Sequence, residues 1–279
     1  MIGAPQAAPA PQASVTMLCG PNTNAYIIMK GILTLTIAAL ALTACAQQPA
    51  THSAVPADDK NLPPKNVPAA VTPHWQLPAN HVNHDKYYAR RATHFGTLPI
   101  DTNDIVMLGN SLTDGAEFAE LFNNANVKNR GIVGDIIQGY IDRLEPITAG
   151  HPAKIFILGG VNDVSHGVSG DSIARAMERL VKLIKRQSPR TKIYVQSMLP
   201  FNNDVQLWKY LKDREHVVVE GNKALERMCR RQGVTWINLY PLFDNGNGKL
   251  KPEFTNDGLH LMGEAYIVWR DALLPYINE

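Results

Sequence analysis

From about residue 104 onward, short apolar runs alternate with longer segments whose apolar residues recur every three or four positions. Short runs bounded by glycine or polar residues are typical of buried strands, and the longer periodic segments predict amphipathic helices. The predicted strands are 104–108, 127–130, 154–158, 192–196 and 234–239. The predicted helices are 111–122, one capped by Asp135, one capped by Asp171 that ends before Pro189, 217–231 and 263–274.

This alternation of strands and helices predicts an α/β fold, in which a mostly parallel five-stranded sheet carries helices on both faces. Ligands of such folds bind outside the carboxyl ends of the strands. Glycine-rich and polar clusters follow four of the predicted strands, so we expect the functional site at this edge of the sheet.

The beginning of the chain has a different pattern. Lys30 precedes an apolar stretch, Gly31 to Ala44, which is shorter than the roughly 20 residues of a membrane-spanning helix and suits a signal peptide. The stretch ends in Leu42-Thr43-Ala44-Cys45, which resembles the lipobox of bacterial lipoproteins. That resemblance implies a lipid on Cys45, a membrane anchor and a place in the cell envelope, in the periplasm or at the outer membrane. A buried apolar helix with a chance cysteine is the alternative.

Four segments follow from this interpretation. Residues 29–44 are the predicted signal peptide, which makes residues 1–28 an upstream extension of the gene model. Residues 45–83, rich in proline and alanine, have too few apolar residues to form a core and are predicted to be a flexible tether. The predicted folded domain is 84–279.

Composition removes several classes of function. A formal net charge of +2 and no long run of basic residues argue against a nucleic-acid partner. The three cysteines, Cys19, Cys45 and Cys229, have no metal-ligand spacing, and no phosphate-binding or dinucleotide motif is present. We therefore expect no metal and no cofactor, and we expect Cys229 to pack in the core.

Two clusters carry candidate catalytic side chains. Gly109-Asn110-Ser111 places a serine on a strand-to-helix turn, where its hydroxyl is exposed and the helix N-terminus favours negative charge. Asp257 precedes His260 by three residues, so it can orient an imidazole that accepts the proton of a serine. Taken singly, the serine is equally a helix cap and the second cluster an ordinary turn.

Two further clusters supply candidate hydrogen-bond donors. Gly131 follows the second strand, and a glycine lets a backbone N–H approach an oxyanion closely. Asn162 follows the third strand, and its amide can donate to the same oxyanion.

In this order the four clusters resemble the four blocks of the SGNH (GDSL-like) hydrolases, and most closely the platelet-activating-factor acetylhydrolase-like and sialate O-acetylesterase-like members. The resemblance implies a flavodoxin-like three-layer α/β/α domain, a triad of Ser111, Asp257 and His260, and an oxyanion hole of Ser111, Gly131 and Asn162. The chain has Asn110 where the commonest serine block has aspartate. An α/β-hydrolase fold is disfavoured because its G-x-S-x-G motif is absent here.

The expected activity is that of a carboxylic ester hydrolase acting on short acyl groups, above all acetyl groups, with a small-molecule or glycan ester as substrate. Phe201, Trp208 and Tyr210 are candidate sugar-binding aromatics, or they pack a loop. The candidate substrate contacts are Asn110, Arg130, His166 and Trp208. Acyl transfer by the same triad and glycan binding without catalysis remain alternatives, and the sequence leaves the oligomeric state open.

Overall fold

A computed structural model of the protein describes residues 75–279. The predicted extension 1–28, the predicted signal peptide 29–44, Cys45 and the predicted tether as far as residue 74 lie outside the described residues. These predictions, and the membrane attachment that depends on them, stay predictions. Within residues 75–279, no helix combines the length and the hydropathy that a membrane crossing requires.

Five strands, all parallel, form a single sheet in the order β2-β1-β3-β4-β5. The strands are β1 (Ile105–Gly109), β2 (Val127–Gly131), β3 (Lys154–Leu158), β4 (Lys192–Gln196) and β5 (Thr235–Ile237). This is the flavodoxin-like order, and the crevice between the ends of β1 and β3 is its switch point. The predicted fold class is confirmed.

Helices cover both faces of the sheet. They are α1 (Lys86–Thr97), α2 (Ser111–Asp114), α3 (Phe118–Leu121), α4 (Ile137–Asp142), α5 (Glu145–Thr148), α6 (Val161–Ser165), α7 (Gly170–Gln187), α8 (Glu215–Gln232), α9 (Tyr240–Phe243) and α10 (Gly263–Asn278). Short 3₁₀ turns lie at Lys209–Leu211 and Pro252–Phe254.

Alternate residues of each strand enter different hydrophobic clusters. Val106 of β1 belongs to the cluster that contains Leu180 of α7, whereas Met107 belongs to the cluster that contains Trp269 of α10. Because successive side chains of a strand point to opposite faces, the apolar runs bury both faces of the sheet. Cys229 lies in the first cluster, fully buried, as predicted.

Several element boundaries differ from the prediction. The predicted helix 111–122 is two short helices, because α2 ends at Asp114, with Gly115 as its C-cap. The helix after β2 is preceded by Ile136, not capped by Asp135, whose carboxylate is paired with Arg143 instead.

The start of α7 and the end of β5 also differ from the prediction. Helix α7 is capped by the Ser169 side chain, two residues before the predicted Asp171. The fifth strand stops at Ile237, because the Ser197 hydroxyl accepts hydrogen bonds from the backbone N–H groups of Leu239 and Tyr240 and turns the chain into α9.

Helix α1 was not predicted, and it extends the folded part of the chain. Asp85 caps it, and its buried residues Tyr88 and Phe95 pack with Ile132, next to the end of β2. Trp75 packs against this cluster and contacts the helix at Gly96, where an added Cβ would lie 2.6 Å from the indole. The folded part therefore begins before the predicted boundary at residue 84, since apolar side chains of the segment 75–83 find a surface to bury.

Candidate active site

Ser111 stands at the first position of α2, directly after the end of β1. The turn is tight, since a Cβ on Gly109 would lie 2.0 Å from the Thr113 hydroxyl oxygen. Asn110 is fully buried, and its side-chain oxygen accepts a hydrogen bond of 3.1 Å from the Leu112 N–H. The fold thus presents the half-buried Ser111 hydroxyl at the carboxyl edge of the sheet, between β2 and β3.

The loop before α10 brings an imidazole and a carboxylate to this serine. His260 Nε2 lies 3.1 Å from Ser111 Oγ, and His260 Nδ1 lies 2.7 Å from Asp257 Oδ2. Both distances are within hydrogen-bond range. A continuous hydrogen-bonded chain therefore joins Asp257, His260 and Ser111, which are far apart in sequence.

Hydrogen bonds keep Asp257 ionised. Partial burial of this carboxylate opposes ionisation, but the His260 ring and the backbone N–H groups of His260 and Leu259 outweigh it, so the pKa of Asp257 lies below its usual value. An ionised Asp257 fixes the tautomer of His260 with the proton on Nδ1, which leaves Nε2 free to accept a proton from Ser111.

The three aromatic residues that were candidates for sugar binding lie in different environments. Trp208 Nε1 donates a hydrogen bond of 2.7 Å to the Asp257 carbonyl oxygen, and its ring meets the His260 ring edge-on at 5.7 Å. Phe201 is buried in the core, whereas Tyr210 is 79% exposed. Trp208 therefore supports the loop that carries Asp257 and His260, and the burial of Phe201 leaves it unavailable to a sugar.

Two of the three predicted oxyanion donors are available. Among the described residues, none accepts a hydrogen bond from the backbone N–H of Ser111, which is an orphan donor of the first helical turn. Asn162 is the second residue of α6, and its Nδ2 donates one hydrogen to the carbonyl oxygen of Asp135 at 2.9 Å. That bond fixes the amide and leaves its second hydrogen free.

Gly131 does not fit its predicted role. Its N–H already donates to the Asn129 side-chain oxygen at 2.7 Å, and a Cβ there would lie 2.1 Å from the backbone nitrogen of Asp114. This glycine is needed because α2 packs directly on the end of β2. Gly134, three residues on, is exposed, has φ +73°, and has an N–H with no acceptor among residues 75–279.

Gly134 directly precedes Asp135, whose carbonyl oxygen accepts the hydrogen bond from the Asn162 amide, so this bond joins the Gly134 loop to Asn162. Sequence reasoning missed Gly134. The signal that could have found it is a second glycine in the short loop between β2 and α4, where a left-handed backbone leaves an N–H free.

Two of the predicted substrate contacts are structural instead. Arg130 is 4% exposed, donates to the Asn129 carbonyl oxygen and lies 5.0 Å from the Phe95 ring centre, beneath α1. Burial lowers the pKa of Arg130 to about 10. Asn110 is sealed under the serine turn. Both predictions are wrong, because α1 and α2 bury these two side chains, and the sequence pattern does not show that packing.

His166, by contrast, is exposed and lines a groove of about 580 Å³. One wall of the groove consists of the segment before α1, with Val82 and His84, and the first turn of α1, with Tyr87. The other is formed by Val133 and Gly134 together with His166 at the end of α6. The groove therefore borders the loop of Gly134 and the end of α6, the helix that contains Asn162.

No three His, Cys, Asp or Glu side chains come together as a metal site within the described part of the chain. The expectation that the reaction needs no metal or cofactor remains a prediction.

The sequence matches a known family over most of this domain. A model of the GDSL-like Lipase/Acylhydrolase family matches residues 107–267, which include Ser111, Asn162, Asp257 and His260. Among curated proteins, none matches the sequence significantly.

Solved structures show the same fold. A GDSL-like lipase from Bacteroides thetaiotaomicron is similar with a TM-score of 0.60 and 24% identity, over 68% of this chain and 96% of that one. An acetylxylan esterase from Geobacillus stearothermophilus is similar with a TM-score of 0.53 and 16% identity, over 65% of this chain and 97% of that one. From the sequence match and the shared fold together, this protein belongs to the GDSL-like lipase/acylhydrolase family.

Proposed function

We propose that this protein is a serine esterase that removes short acyl groups, above all acetyl groups, from carbohydrate. The observation that carries the proposal is the hydrogen-bonded chain from Asp257 through His260 to Ser111, with distances of 2.7 and 3.1 Å. A histidine that is oriented by a carboxylate and faces a hydroxyl is the arrangement that activates a serine nucleophile.

In the first half of the reaction, His260 Nε2 takes the proton of Ser111 while Oγ attacks the ester carbonyl carbon. The resulting oxyanion accepts hydrogen bonds from the N–H groups of Ser111 and Gly134 and from the Asn162 amide. Each such donor typically lowers the barrier by about 2.7–4 kcal/mol. His260 then gives its proton to the leaving alcohol oxygen, the carbon–oxygen bond breaks, and an acyl-Ser111 ester remains.

Water completes the cycle by the same path. His260 takes a proton from a water molecule, whose oxygen attacks the acyl carbon, and the same donors hold the second oxyanion. When that intermediate collapses, the proton returns to Ser111 Oγ and the carboxylic acid leaves. A positively charged His260 forms twice in the cycle, and the ionised Asp257 stabilises it each time.

Two observations and one prediction from the sequence support a carbohydrate as the alcohol part of the substrate. The groove beside Gly134, about 580 Å³ in volume, offers polar side chains, Asn83, His84 and His166, next to apolar Val82 and Val133. One structural relative is an acetylxylan esterase, with catalytic mutants at a serine and at a histidine. A lipid anchor on Cys45, as predicted from the sequence, would hold the enzyme where envelope glycans occur.

The test compares p-nitrophenyl acetate, butyrate and octanoate as substrates of the wild-type protein and of Ser111→Ala. Ser172→Ala serves as the matched control, since this serine lies on α7, where its hydroxyl is hydrogen-bonded to Ser169 and Arg175. We expect hydrolysis that is fastest for acetate, lost in Ser111→Ala and kept in Ser172→Ala. Equal background rates in all three proteins would refute the esterase.

The same preparation separates hydrolysis from acyl transfer. The groove that we assign to the alcohol could equally hold an acceptor alcohol, so the assay is repeated with acetylated xylooligosaccharide and an excess of free sugar acceptor. Release of acetate alone supports the esterase. Acetylated acceptor, formed at the expense of acetate, would establish a transferase that uses the same triad.

A further inference from the structure

A buried ion pair lies beneath the loops of the candidate oxyanion hole. Arg143, directly after α4, donates from Nε to Asp135 Oδ2 at 2.8 Å, and the two side chains are 2% and 0% exposed. Burial raises the pKa of Asp135 to about 7, although Arg143 and the Ile136 N–H act against that rise. A pair buried this deeply is costly to desolvate and is weak evidence of a stabilising role.

The other two nitrogens of the guanidinium bind the ends of two strands. Nη1 donates to the Arg130 carbonyl oxygen at 2.8 Å, and Nη2 donates to the Gly109 carbonyl oxygen at 3.1 Å. Gly109 is two residues before Ser111, and Arg130 is at the end of β2, where the loop to Gly134 begins. Arg143 therefore fixes the starting points of the segments that carry two oxyanion donors.

The carboxylate end of the pair reaches the third donor. Asp135 follows Gly134 directly, and its backbone carbonyl accepts the hydrogen bond that orients the Asn162 amide. Its side chain also accepts from the Ile136 N–H at 2.9 Å. The space around this carboxylate is full, because a Cβ on Gly139 would lie 1.8 Å from Asp135 Oδ1.

We propose that the Arg143–Asp135 ion pair positions the oxyanion hole by holding the backbone of Ser111, the loop of Gly134 and the amide of Asn162 in one rigid arrangement. The inference rests on the proposed function. Neither side chain hydrogen-bonds to Ser111 Oγ or to His260, so both are positioning residues. Their loss should weaken binding of the tetrahedral intermediate and leave binding of the ground-state ester nearly unchanged.

The test uses two conservative variants of the full-length protein, Arg143→Lys and Asp135→Asn. Lysine keeps a positive charge but cannot reach the carboxylate and both carbonyl oxygens at once, and asparagine keeps the volume of aspartate without its charge. Lys154→Met is the matched control. Lys154 is also buried, and its Nζ donates to three carbonyl oxygens of the C-terminal segment, but it lies at the opposite end of β3.

With p-nitrophenyl acetate, we expect kcat to fall by about 10- to 100-fold in both pair variants, less than for complete loss of a donor, while KM stays within about threefold. Lys154→Met should lose thermal stability yet keep its kcat. In an Asn162→Ala background, Arg143→Lys should cause a smaller loss of kcat than in the wild type, because one donor that it positions is already gone.

Three results would overturn the inference. The first is an unchanged kcat in a folded pair variant, and the second is a rise of KM that accounts for the loss of kcat/KM. The third is a loss of kcat in Lys154→Met as large as in the pair variants, at an equal loss of Tm. Because Asp135→Asn changes no volume, it covers the case in which Arg143→Lys does not fold. Failure of the proposed function is recognised separately, by a wild-type protein without esterase activity, and the inference then falls with it.

Discussion

At the scale of single residues, Gly131 and Gly134 look alike in the sequence but differ in the hydrogen bonding of their backbone N–H groups. Gly131 gives its N–H to the Asn129 side chain and needs its lack of a Cβ to let α2 pack against β2. At Gly134, glycine permits the left-handed backbone conformation, with φ +73°, and nothing lies within 4 Å of a Cβ built on it. Because Gly134 is exposed and its N–H has no acceptor among residues 75–279, that N–H is open to a ligand, whereas the N–H of Gly131 is not.

Alanine substitutions should separate these two roles. Gly134→Ala strains a left-handed residue by about 1 kcal/mol and displaces its N–H, so kcat should fall at least tenfold with a small change of Tm. Gly131→Ala places a methyl group against backbone and should lower Tm strongly. Thermal unfolding and esterase kinetics of both variants provide the check, and the reverse pattern would return the oxyanion role to Gly131.

At the scale of elements, α1 and the residues before it add a wall to the family domain. The family match begins at residue 107, whereas the wall of the groove comes from residues 82–87. Helix α1 is hydrogen-bonded to α2, because the Tyr87 hydroxyl and the Arg91 guanidinium both donate to Asp114, at 2.7 and 2.8 Å. Asp114 ends the short helix that Ser111 begins, so these contacts hold the wall in a fixed position relative to Ser111.

This arrangement predicts that the wall affects specificity. His84→Ala should raise KM for acetylated xylobiose by about two- to tenfold, the value of one lost hydrogen bond, and raise KM for p-nitrophenyl acetate less. His94→Ala, an exposed histidine of α1 outside the groove, is the control. Equal KM values for the sugar ester in His84→Ala and His94→Ala would remove this wall from substrate binding.

At the scale of the whole molecule, buried carboxylates link folding to pH. Asp163, 6% exposed on α6, accepts a hydrogen bond of 3.3 Å from the Ile137 N–H, which ties α6 to α4. Burial raises the pKa of Asp163 to about 6, and this hydrogen bond only partly opposes the rise. The native state therefore holds a proton that the unfolded chain, with an ordinary aspartate pKa near 3.8, has already released.

The raised pKa of Asp163 makes the folded protein less stable as the pH rises. Between about pH 4 and pH 6 the native state binds more protons than the unfolded state at this site, so the site lowers the free energy of unfolding as pH rises, by at most about 1.4 kcal/mol per pH unit. Asp163→Asn should remove that contribution, which urea unfolding at pH 4, 5 and 6.5 measures against the wild type. The exposed Asp171→Asn is the control, and identical pH slopes for Asp163→Asn and the wild type would contradict the shift.

Much of this protein could be predicted without coordinates, because the relevant signals are local. Apolar runs such as 154–158 and 192–196 match β3 and β4 residue for residue, since the sequence of a strand that is buried on both faces is apolar along most of its length. Asp257 and His260 could be paired because they share one turn. Ser111 could be joined to them because parallel strands bring their carboxyl ends to one edge.

What only the tertiary structure decided concerns groups whose partners are distant in sequence. Arg143 looks like an ordinary helix residue until its guanidinium is found on the ends of β1 and β2, and Arg130 looks accessible until α1 covers it. The sequence by itself determined the strands, the order of the motifs and the three residues of the candidate triad. The packing of α1 and α2 decided which glycine N–H stays free and which charges are buried, because hydrogen-bond partners and burial depend on non-local contacts that no periodicity records.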